Sequence, residues 1–279
     1  MTMELPTADV RRLCGLHEEI ASVDLHAPPT AHLVYPQSLP PVQRLGLLCG
    51  SFNPLTLAHT ELADRAREVM GLDVVLFTLA KVTVEKEQVT GMSLEDRLLL
   101  LSRYAERHAG NGVAMVNRGL YYEQAQAFRA LLGEQVSLSF VVGMDKLLQI
   151  LDPKYYQDRA AALQQLFALT SLIVANRGDM ARAEFERILD QPGNRVYRPH
   201  IHFCPLSDDI AEVSATSVRD GLAAGHDVNV LVPEETAAFL AETRAFFPPV
   251  WQGGVMVDTY ALRLQRLAAA YADHGKAED

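Results

Sequence analysis

The segment Gly50–His59, GSFNPLTLAH, carries the residues best suited to binding a phosphate. An apolar run, Leu45–Cys49, precedes it, and apolar residues at helical spacing follow from Leu57 to Met70. This order predicts a buried strand, a tight turn with a glycine, and a helix whose first N–H groups point back at the strand end. Unpaired amides and the helix dipole both favour an anion at such a turn, and His59 adds a hydrogen-bond donor in the helix's first turn.

Two later segments also place polar residues where an apolar run ends and a helical pattern begins. In the first, Gly143 and Asp145 follow the apolar run Leu138–Val142. The second contains a serine, a threonine and an arginine at a helix start: Ser214, Thr216 and Arg219. Each position also has an ordinary structural interpretation, because Ser, Thr and Asp are common N-cap residues and a histidine such as His59 on an apolar helix face is often buried. The combination of the three segments favours a shared site.

Short apolar runs alternate with helical segments from Leu45 onward, and this alternation predicts the fold. The candidate strands are Leu45–Cys49, Val74–Thr78, Val113–Val116, Leu138–Val142, Ser171–Ala175 and Ile201–Cys204. The helical patterns between them are Leu57–Met70, Leu94–His108, Glu123–Leu132, Gln157–Leu169 and Arg182–Leu189. We expect an α/β fold, a doubly wound (Rossmann-like) parallel sheet of about five strands with helices on both faces. Ligands of such sheets bind beyond the carboxyl ends of the strands, where the strand order reverses.

The composition divides the chain into three parts. Residues 1–44 combine a helical pattern, Ala8–Ser22, with a proline-rich connector, Ala27–Gln43, and are predicted to form an appendage. Residues 45–247 form the predicted α/β domain, and residues 248–279 a C-terminal helical arm or a contact in a homo-oligomer. Three helices are expected after the sheet: Ala215–Ala224, Glu234–Phe246 and Tyr260–Ala272.

Charge and composition exclude several classes of protein. The formal net charge of −10 argues against binding to a nucleic acid polymer or an acidic membrane. The three cysteines, Cys14, Cys49 and Cys204, lack metal-site spacing, so we expect reduced thiols and no structural metal. No apolar run approaches the ~20 residues of a membrane helix, and residues 1–12 lack the pattern of a signal peptide. We therefore expect a soluble, cytoplasmic protein.

Together the three segments resemble the signatures of the nucleotidylyltransferase superfamily, most closely those of the nicotinamide/nicotinate mononucleotide adenylyltransferases. Gly50–His59 is similar to the GxFxPxxxxH signature, whose tail is usually (T/H)xxH. Val213–Arg219 is similar to ISxTxIR, and Gly143 with Asp145 to the GxD element. The resemblance spans about Leu45–Phe246. It implies transfer of AMP from ATP to the phosphate of a pyridine mononucleotide, with release of pyrophosphate.

The resemblance also implies roles for individual residues. The residues that would act on phosphates are His59, Thr56, Arg219 and Lys86. Those that would hold the nucleotide are Gly50, Ser51, Phe52, Gly143, Asp145, Ser214 and Thr216, with Gly143 and Asp145 on the adenosine side. His59 would donate to an ATP phosphate oxygen, and Arg219 would hold the β- and γ-phosphates that leave. The choice of phosphate-bridging lysine stays open between Lys81 and Lys86, with Lys86 favoured for its reach. Mg²⁺ would be bound through the ATP phosphates and water more than through carboxylates.

The sequence indicates less clearly which residues would bind the acceptor substrate. Relatives commonly stack an aromatic residue, often a tryptophan, on the pyridine ring, but here Trp251 lies outside the motif core. The tyrosines that could stack instead are Tyr121, Tyr122, Tyr155 and Tyr156. Asn176 and Arg177, after the fifth candidate strand, could touch the acceptor or form a plain loop. The helix that carries Arg97 is predicted to be core with a polar face and no further role.

Several functions therefore remain open. The same phosphate machinery would serve cytidylyl transfer to an alcohol phosphate or adenylyl transfer to phosphopantetheine. A sensor that binds ATP without turnover is a further alternative, because Thr56 stands where relatives often carry a second histidine.

Overall fold

A seven-stranded sheet forms the centre of the protein. The computed structural model describes residues 7–82, 91–176, 182–207, 210 and 212–275, with the backbone alone for residues 7 and 8. In chain order the strands are β1 (Ala31–Tyr35), β2 (Arg44–Cys49), β3 (Val74–Ala80), β4 (Asn111–Val116), β5 (Ser137–Gly143), β6 (Thr170–Ala175) and β7 (Ile201–Cys204). Their spatial order is β1-β4-β3-β2-β5-β6-β7. Strands β2 to β7 pair in parallel, and β1 lies antiparallel to β4.

All the strands predicted from apolar runs are present, and their ends differ from the prediction by two residues at most. The predicted number of about five was wrong, since the sheet has seven strands. The unexpected strand is β1, which lies in the proline-rich stretch predicted to be a connector. Its sequence, AHLVY, is only partly buried and shows no continuous apolar run. It pairs antiparallel with β4, and this pairing with residues about 80 positions away has no signature in the local sequence.

The helices agree with the predicted pattern. Within the described residues the α-helices are α1 (Thr7–Ser22), α2 (Leu57–Met70), α3 (Leu94–Arg107), α4 (Tyr121–Leu132), α5 (Met144–Leu151), α6 (Arg159–Leu169), α7 (Arg182–Leu189), α8 (Ala215–Ala223), α9 (Glu234–Thr243) and α10 (Thr259–Gly275). A small hairpin that was not predicted, β8 (Val250–Gln252) and β9 (Val255–Val257), precedes α10. No helix in the described part of the chain has the length and apolar character needed to cross a membrane.

Helices cover both faces of the sheet, as a doubly wound fold requires. One buried cluster joins the sheet to α1, α2, α3, α8, α9 and α10, and includes Phe77 of β3. The other joins it to α4, α5, α6 and α7, and includes Leu76 of the same strand. Successive side chains of a strand point to opposite faces, so a strand that is apolar throughout can serve both cores.

The strand order reverses between β2 and β5. The chain runs outward from β2 through β3 to β4, and then returns to β5 on the other side of β2. Leu48 of β2 pairs with Val141 of β5, so the turns that follow these strands are neighbours at the carboxyl edge. This is the topological switch point at which ligands of such sheets bind.

The N-terminal segment is fastened to the same edge. Asn117, the buried residue after β4, donates from Nδ2 to the carbonyl oxygens of Asp24 and Pro28, both at 3.0 Å. Its Oδ1 accepts the N–H of Thr30 at 2.8 Å. Residues 24–30 therefore cross the carboxyl end of β4 before the chain enters β1, and helix α1 packs on α3 and α10.

Candidate active site

The turn between β2 and α2 contains Gly50, Ser51 and Phe52. Phe52 adopts a positive φ of 44°, and its side chain is 1% exposed. The ring makes edge contacts with His59 and Phe77, at centroid distances of 5.1 and 5.5 Å. A Cβ at position 50 would lie 3.1 Å from this ring, so glycine is needed for the close approach. Because the Phe52 ring is in the core, only the backbone of this residue can meet a nucleotide, which is the role that the resemblance implies.

Polar groups from other elements bind the oxygens of the same turn. Arg97 of α3 donates from Nη1 to the carbonyl oxygen of Ser51 at 3.0 Å. Arg219 of α8 donates from Nη1 to the carbonyl oxygen of Asn53 at 2.9 Å. The buried side chain of Asn53 accepts the N–H of Met92 at 3.1 Å. These bonds tie the turn to two helices that are distant from it in sequence.

Thr56 and His59 form one unit at the start of α2. Thr56 is the N-cap residue and is fully buried. Its N–H donates to His59 Nδ1 at 3.1 Å, and its hydroxyl lies 2.9 Å from the same nitrogen. Since Nδ1 accepts a hydrogen bond, a neutral His59 ring carries its proton on Nε2 and offers that N–H as a donor. Thr56 thus orients the histidine, and a direct contact of its hydroxyl with phosphate stays a prediction.

The start of α8 carries the third segment. Ser214 is the N-cap, and its Oγ accepts the N–H of Ser217 at 3.0 Å. Arg219 lies one turn along the helix and donates from Nη2 to the Thr216 hydroxyl at 3.1 Å, besides its bond to Asn53. The N-terminus of α8 therefore stands beside the turn that leads into α2. The structure brings together the first and third segments, which are more than 150 residues apart.

The second segment lies at the end of the neighbouring strand β5. Gly143 is the N-cap of α5, and a Cβ there would lie 2.7 Å from Asp145 Oδ1, so the carboxylate folds back over the glycine. Asp145 is exposed and lines a cleft of about 330 Å³. The other residues that line this cleft are Lys146, Leu148, Gln149, Asp152, Lys154 and Tyr155.

Of the four candidate stacking tyrosines, Tyr155 alone lines this cleft. Lys154 Nζ lies 4.8 Å from the centre of its ring. Tyr156 instead donates its hydroxyl to the carbonyl oxygen of Ile150 at 2.7 Å. Tyr121 makes an edge contact with Phe140, and burial raises the pKa of its hydroxyl, helped by the charges of Cys49 and Asp145. Tyr122, next to it at the start of α4, is half-buried.

Of the two candidate phosphate-bridging lysines, the structure describes Lys81 but not Lys86. Lys81 donates from Nζ to the carbonyl oxygens of Ile20 and Val23, at 2.6 and 2.7 Å. It therefore binds the carboxyl end of α1, where a positive charge complements the helix dipole, and it is not placed as a phosphate ligand. Lys86 lies outside the described residues, so its role stays a prediction. Arg177 also lies outside them, while Asn176 bonds both backbone groups of Leu206, as a structural loop residue does.

Arg97 and Asn53 make hydrogen bonds at this turn, and the sequence analysis gave neither of them a role. The sequence predicted α3 to be core with a polar face, which agrees with its burial, and the structure adds the bond from Arg97 to the carbonyl of Ser51. The available sequence signal was spacing, because Arg97 shares a helix face with the apolar residues Leu101 and Tyr104 and a buried arginine requires partners. The partner itself is a backbone atom 46 residues away, which no local pattern reveals.

Comparison with known proteins agrees with this geometry. A family model described as Cytidylyltransferase-like matches residues 47–221. A Bordetella pertussis protein named "Probable nicotinate-nucleotide adenylyltransferase" is 32% identical over 204 residues, which cover 72% of this chain and 96% of the relative. A Trichlorobacter lovleyi protein of the same name is 28% identical over 223 residues, covering 74% of this chain and all of the relative.

A solved structure shares the fold. Plasmodium falciparum nicotinic acid mononucleotide adenylyltransferase, complexed with NaAD, matches with a TM-score of 0.53 and 13% identity, over 72% of this chain and 95% of that one. The resemblance inferred from the three motifs is thereby confirmed. The chain belongs to the cytidylyltransferase-like family and, within it, to the nicotinate-nucleotide adenylyltransferases, and it is a nucleotidyltransferase enzyme.

Proposed function

We propose that this enzyme joins ATP and nicotinate mononucleotide to give the dinucleotide and pyrophosphate. An oxygen of the mononucleotide phosphate attacks the α-phosphorus of ATP, the bond from that phosphorus to the bridging oxygen breaks, and pyrophosphate leaves. The observation that carries the proposal is the bond from Arg219 to the carbonyl of Asn53, because it joins the starts of α2 and α8 at the switch point of the sheet. The relatives' names supply the pyridine acid as acceptor.

The phosphate side uses positioned donors rather than a covalent nucleophile. Both helix N-termini present N–H groups and the positive ends of their dipoles, which suits a triphosphate. His59, held by Thr56 as an Nε2–H donor, would stabilise the charge that grows on the reacting phosphates. Arg219 and Ser214 would meet the phosphates that leave.

The acceptor is proposed to bind along the cleft after β5, next to the adenosine side that the resemblance assigns to Gly143 and Asp145. Asp145 and Tyr155 line it, and a tyrosine ring can stack on a pyridine in place of the tryptophan that relatives often use. Gly143 leaves room for the Asp145 carboxylate at the strand end. This assignment favours Tyr155 over the other candidate tyrosines.

Mg²⁺ fits this site as an ion bound through ATP. Among the described residues no group of three or more His, Cys, Asp or Glu side chains could hold a metal. Mg²⁺ commonly keeps phosphate oxygens and water as ligands, so we propose that it enters with ATP. When bound, Mg²⁺ would neutralise phosphate charge. The donors of His59 and Arg219 would then act on the remaining oxygens.

A substrate panel tests the proposal. Purified protein with Mg²⁺ is given ATP or CTP, each with nicotinate mononucleotide, nicotinamide mononucleotide, phosphopantetheine or glycerol phosphate, and pyrophosphate release is measured. We expect release with ATP and nicotinate mononucleotide, and a smaller rate with the amide. Release only with CTP, or only with phosphopantetheine, would replace the proposed acceptor reaction. ATP binding without release from any pair would favour a sensor instead.

A further inference from the structure

The orientation of the phosphate-facing turn depends on partners outside the three sequence motifs. Ser51 and Asn53 flank Phe52, and their carbonyl oxygens accept from Arg97 and Arg219 respectively. Phe52 itself holds a positive φ, a backbone conformation that is unfavourable for a residue with a side chain. A strained backbone of this kind persists only where surrounding contacts hold it.

Arg97 is buried and hydrogen-bonded at this turn. Arg97 is only 8% exposed, and burial lowers the pKa of its guanidinium. A buried guanidinium is costly unless it is hydrogen-bonded, and its partners in the described residues are the carbonyl oxygens of Ser51 and Ser93. The neighbouring carboxylate, Asp96, binds Arg263 rather than Arg97.

The C-terminal helix holds the start of α3, where Arg97 lies. Arg263 and Asp96 form an ion pair at 2.7 Å, with exposures of 1% and 0%. The Tyr260 hydroxyl donates to Asp96 at 2.9 Å and accepts the N–H of Ser93, the N-cap of α3, at 2.8 Å. A chain of bonds thus runs from α10 through the first turn of α3 to the carbonyl of Ser51.

We infer that Arg97 is a positioning residue for nucleotidyl transfer, and that the C-terminal helix α10 sets its position through Tyr260 and Arg263. Arg97 fixes the Ser51 carbonyl on the α3 side of the turn and keeps the strained Phe52 backbone in place. The N–H groups of the turn and the start of α2 are then aligned for the triphosphate. This inference rests on the proposed function for its kinetic readout, and it assigns a role to a terminal arm that the motifs do not reach.

Two pairs of variants test the inference. Arg97→Met removes the donors, and Arg103→Met is its control on the same helix, because Arg103 binds Asp9 and Glu242 instead. Tyr260→Phe removes one hydroxyl from α10. Tyr271→Phe is the matched control on that helix, because its buried hydroxyl has no hydrogen-bond partner among the described residues.

A positioning role predicts a specific kinetic pattern. We expect Arg97→Met to lower kcat by about 10- to 100-fold, the scale of a small misplacement of reacting groups, when rates are measured well below Tm and normalised to folded protein. Arg97→Lys should recover part of that loss. Tyr260→Phe should lower kcat several-fold, while Arg103→Met and Tyr271→Phe keep wild-type kcat whatever their Tm.

The outcomes separate this inference from the proposed function. Wild-type kcat in folded Arg97→Met and Tyr260→Phe overturns the inference alone. If Arg97→Met does not fold, Tyr260→Phe decides, and parity with Tyr271→Phe overturns the inference. No turnover by the wild-type protein overturns the proposed function, and ATP dissociation constants then test the inference: weaker binding in Tyr260→Phe than in Tyr271→Phe supports it, and equal binding overturns it.

Discussion

Arg219 and Asn53 are 166 positions apart in sequence, yet the guanidinium of one donates to the carbonyl oxygen of the other at 2.9 Å. Arg219 belongs to the helix start that carries the third segment, and Asn53 to the turn that leads to His59. Their contact places two helix N-termini beside one another at the carboxyl edge of the sheet. We propose that a single triphosphate interacts with both, as nucleotidyl transfer would need.

Arg219→Ala should weaken the use of ATP more than it weakens the fold. The change removes a charged donor from the turn and from the proposed phosphate site, and hydrogen bonds to charged groups are worth about 1.5–3 kcal/mol, or roughly 10- to 150-fold in kcat/KM for ATP. Steady-state kinetics check this. Arg187→Ala, on the exposed surface of α7, is the control and should keep wild-type values. Unchanged kinetics in Arg219→Ala would show that Arg219 has only a structural role.

His59→Ala should lower kcat by roughly 10²–10³-fold, the loss seen when one transition-state donor is removed. Thr56→Val should lower kcat less, because it removes the hydroxyl beside Nδ1 but leaves the backbone N–H that also binds that nitrogen. Rapid-quench measurement of dinucleotide formation gives both values. Equal losses in the two variants would show that the backbone N–H alone does not hold the histidine in place.

Lys81→Ala should lower the stability of the fold without changing the KM for ATP. Its ammonium binds two carbonyl oxygens at the carboxyl end of α1, so we expect a loss of about 1–3 kcal/mol in the free energy of unfolding. Urea unfolding measures that loss, and the KM for ATP in the same variant should equal the wild-type value. A raised KM for ATP with unchanged stability would instead show that Lys81 contacts phosphate.

Gly143→Ala should disturb substrate binding with little effect on stability. The backbone conformation at Gly143 suits any residue, but the new Cβ would meet Asp145 Oδ1 at 2.7 Å and force the carboxylate to turn away. We expect a KM increase of about tenfold for one of the two substrates, the scale of losing one hydrogen bond. Gly15→Ala, inside α1, is the control for the kinetics, because its new Cβ would meet no other part of the protein within 4 Å.

Alkaline pH should destabilise the fold through its buried tyrosines. Burial raises the pKa of Tyr104 to about 12, and burial together with the Asp96 charge raises the pKa of Tyr260 well above its usual range. An unfolded tyrosine loses its proton near pH 10. Above that pH the unfolded state binds fewer protons than the folded state, so stability falls as pH rises, by up to ~1.4 kcal/mol per pH unit for each such tyrosine. Urea unfolding between pH 8 and 11 measures the slope, which should be shallower in Tyr260→Phe.

Local patterns were enough to predict most of the fold. Each apolar run from Leu45 to Cys204 became a strand of the sheet, because a buried parallel strand must be apolar on both faces. Strand β1 was missed because its partly buried residues carry no such signature, and the free edge of β4 decides its pairing. Residues 83–90, which include Lys86, lie outside the described part of the chain, so that prediction stays open.

The sequence by itself determined the α/β architecture and the three segments at which strands give way to helices. Hydrophobic periodicity and helix-start residues are local properties, and they act over a few residues of chain. Only the tertiary structure decided which side chains hold those segments in place. Arg97 of α3 and Arg219 of α8 both bind backbone oxygens of one turn, whereas Lys81 binds the carboxyl end of α1. Such contacts depend on the strand order and on how helices pack across the sheet.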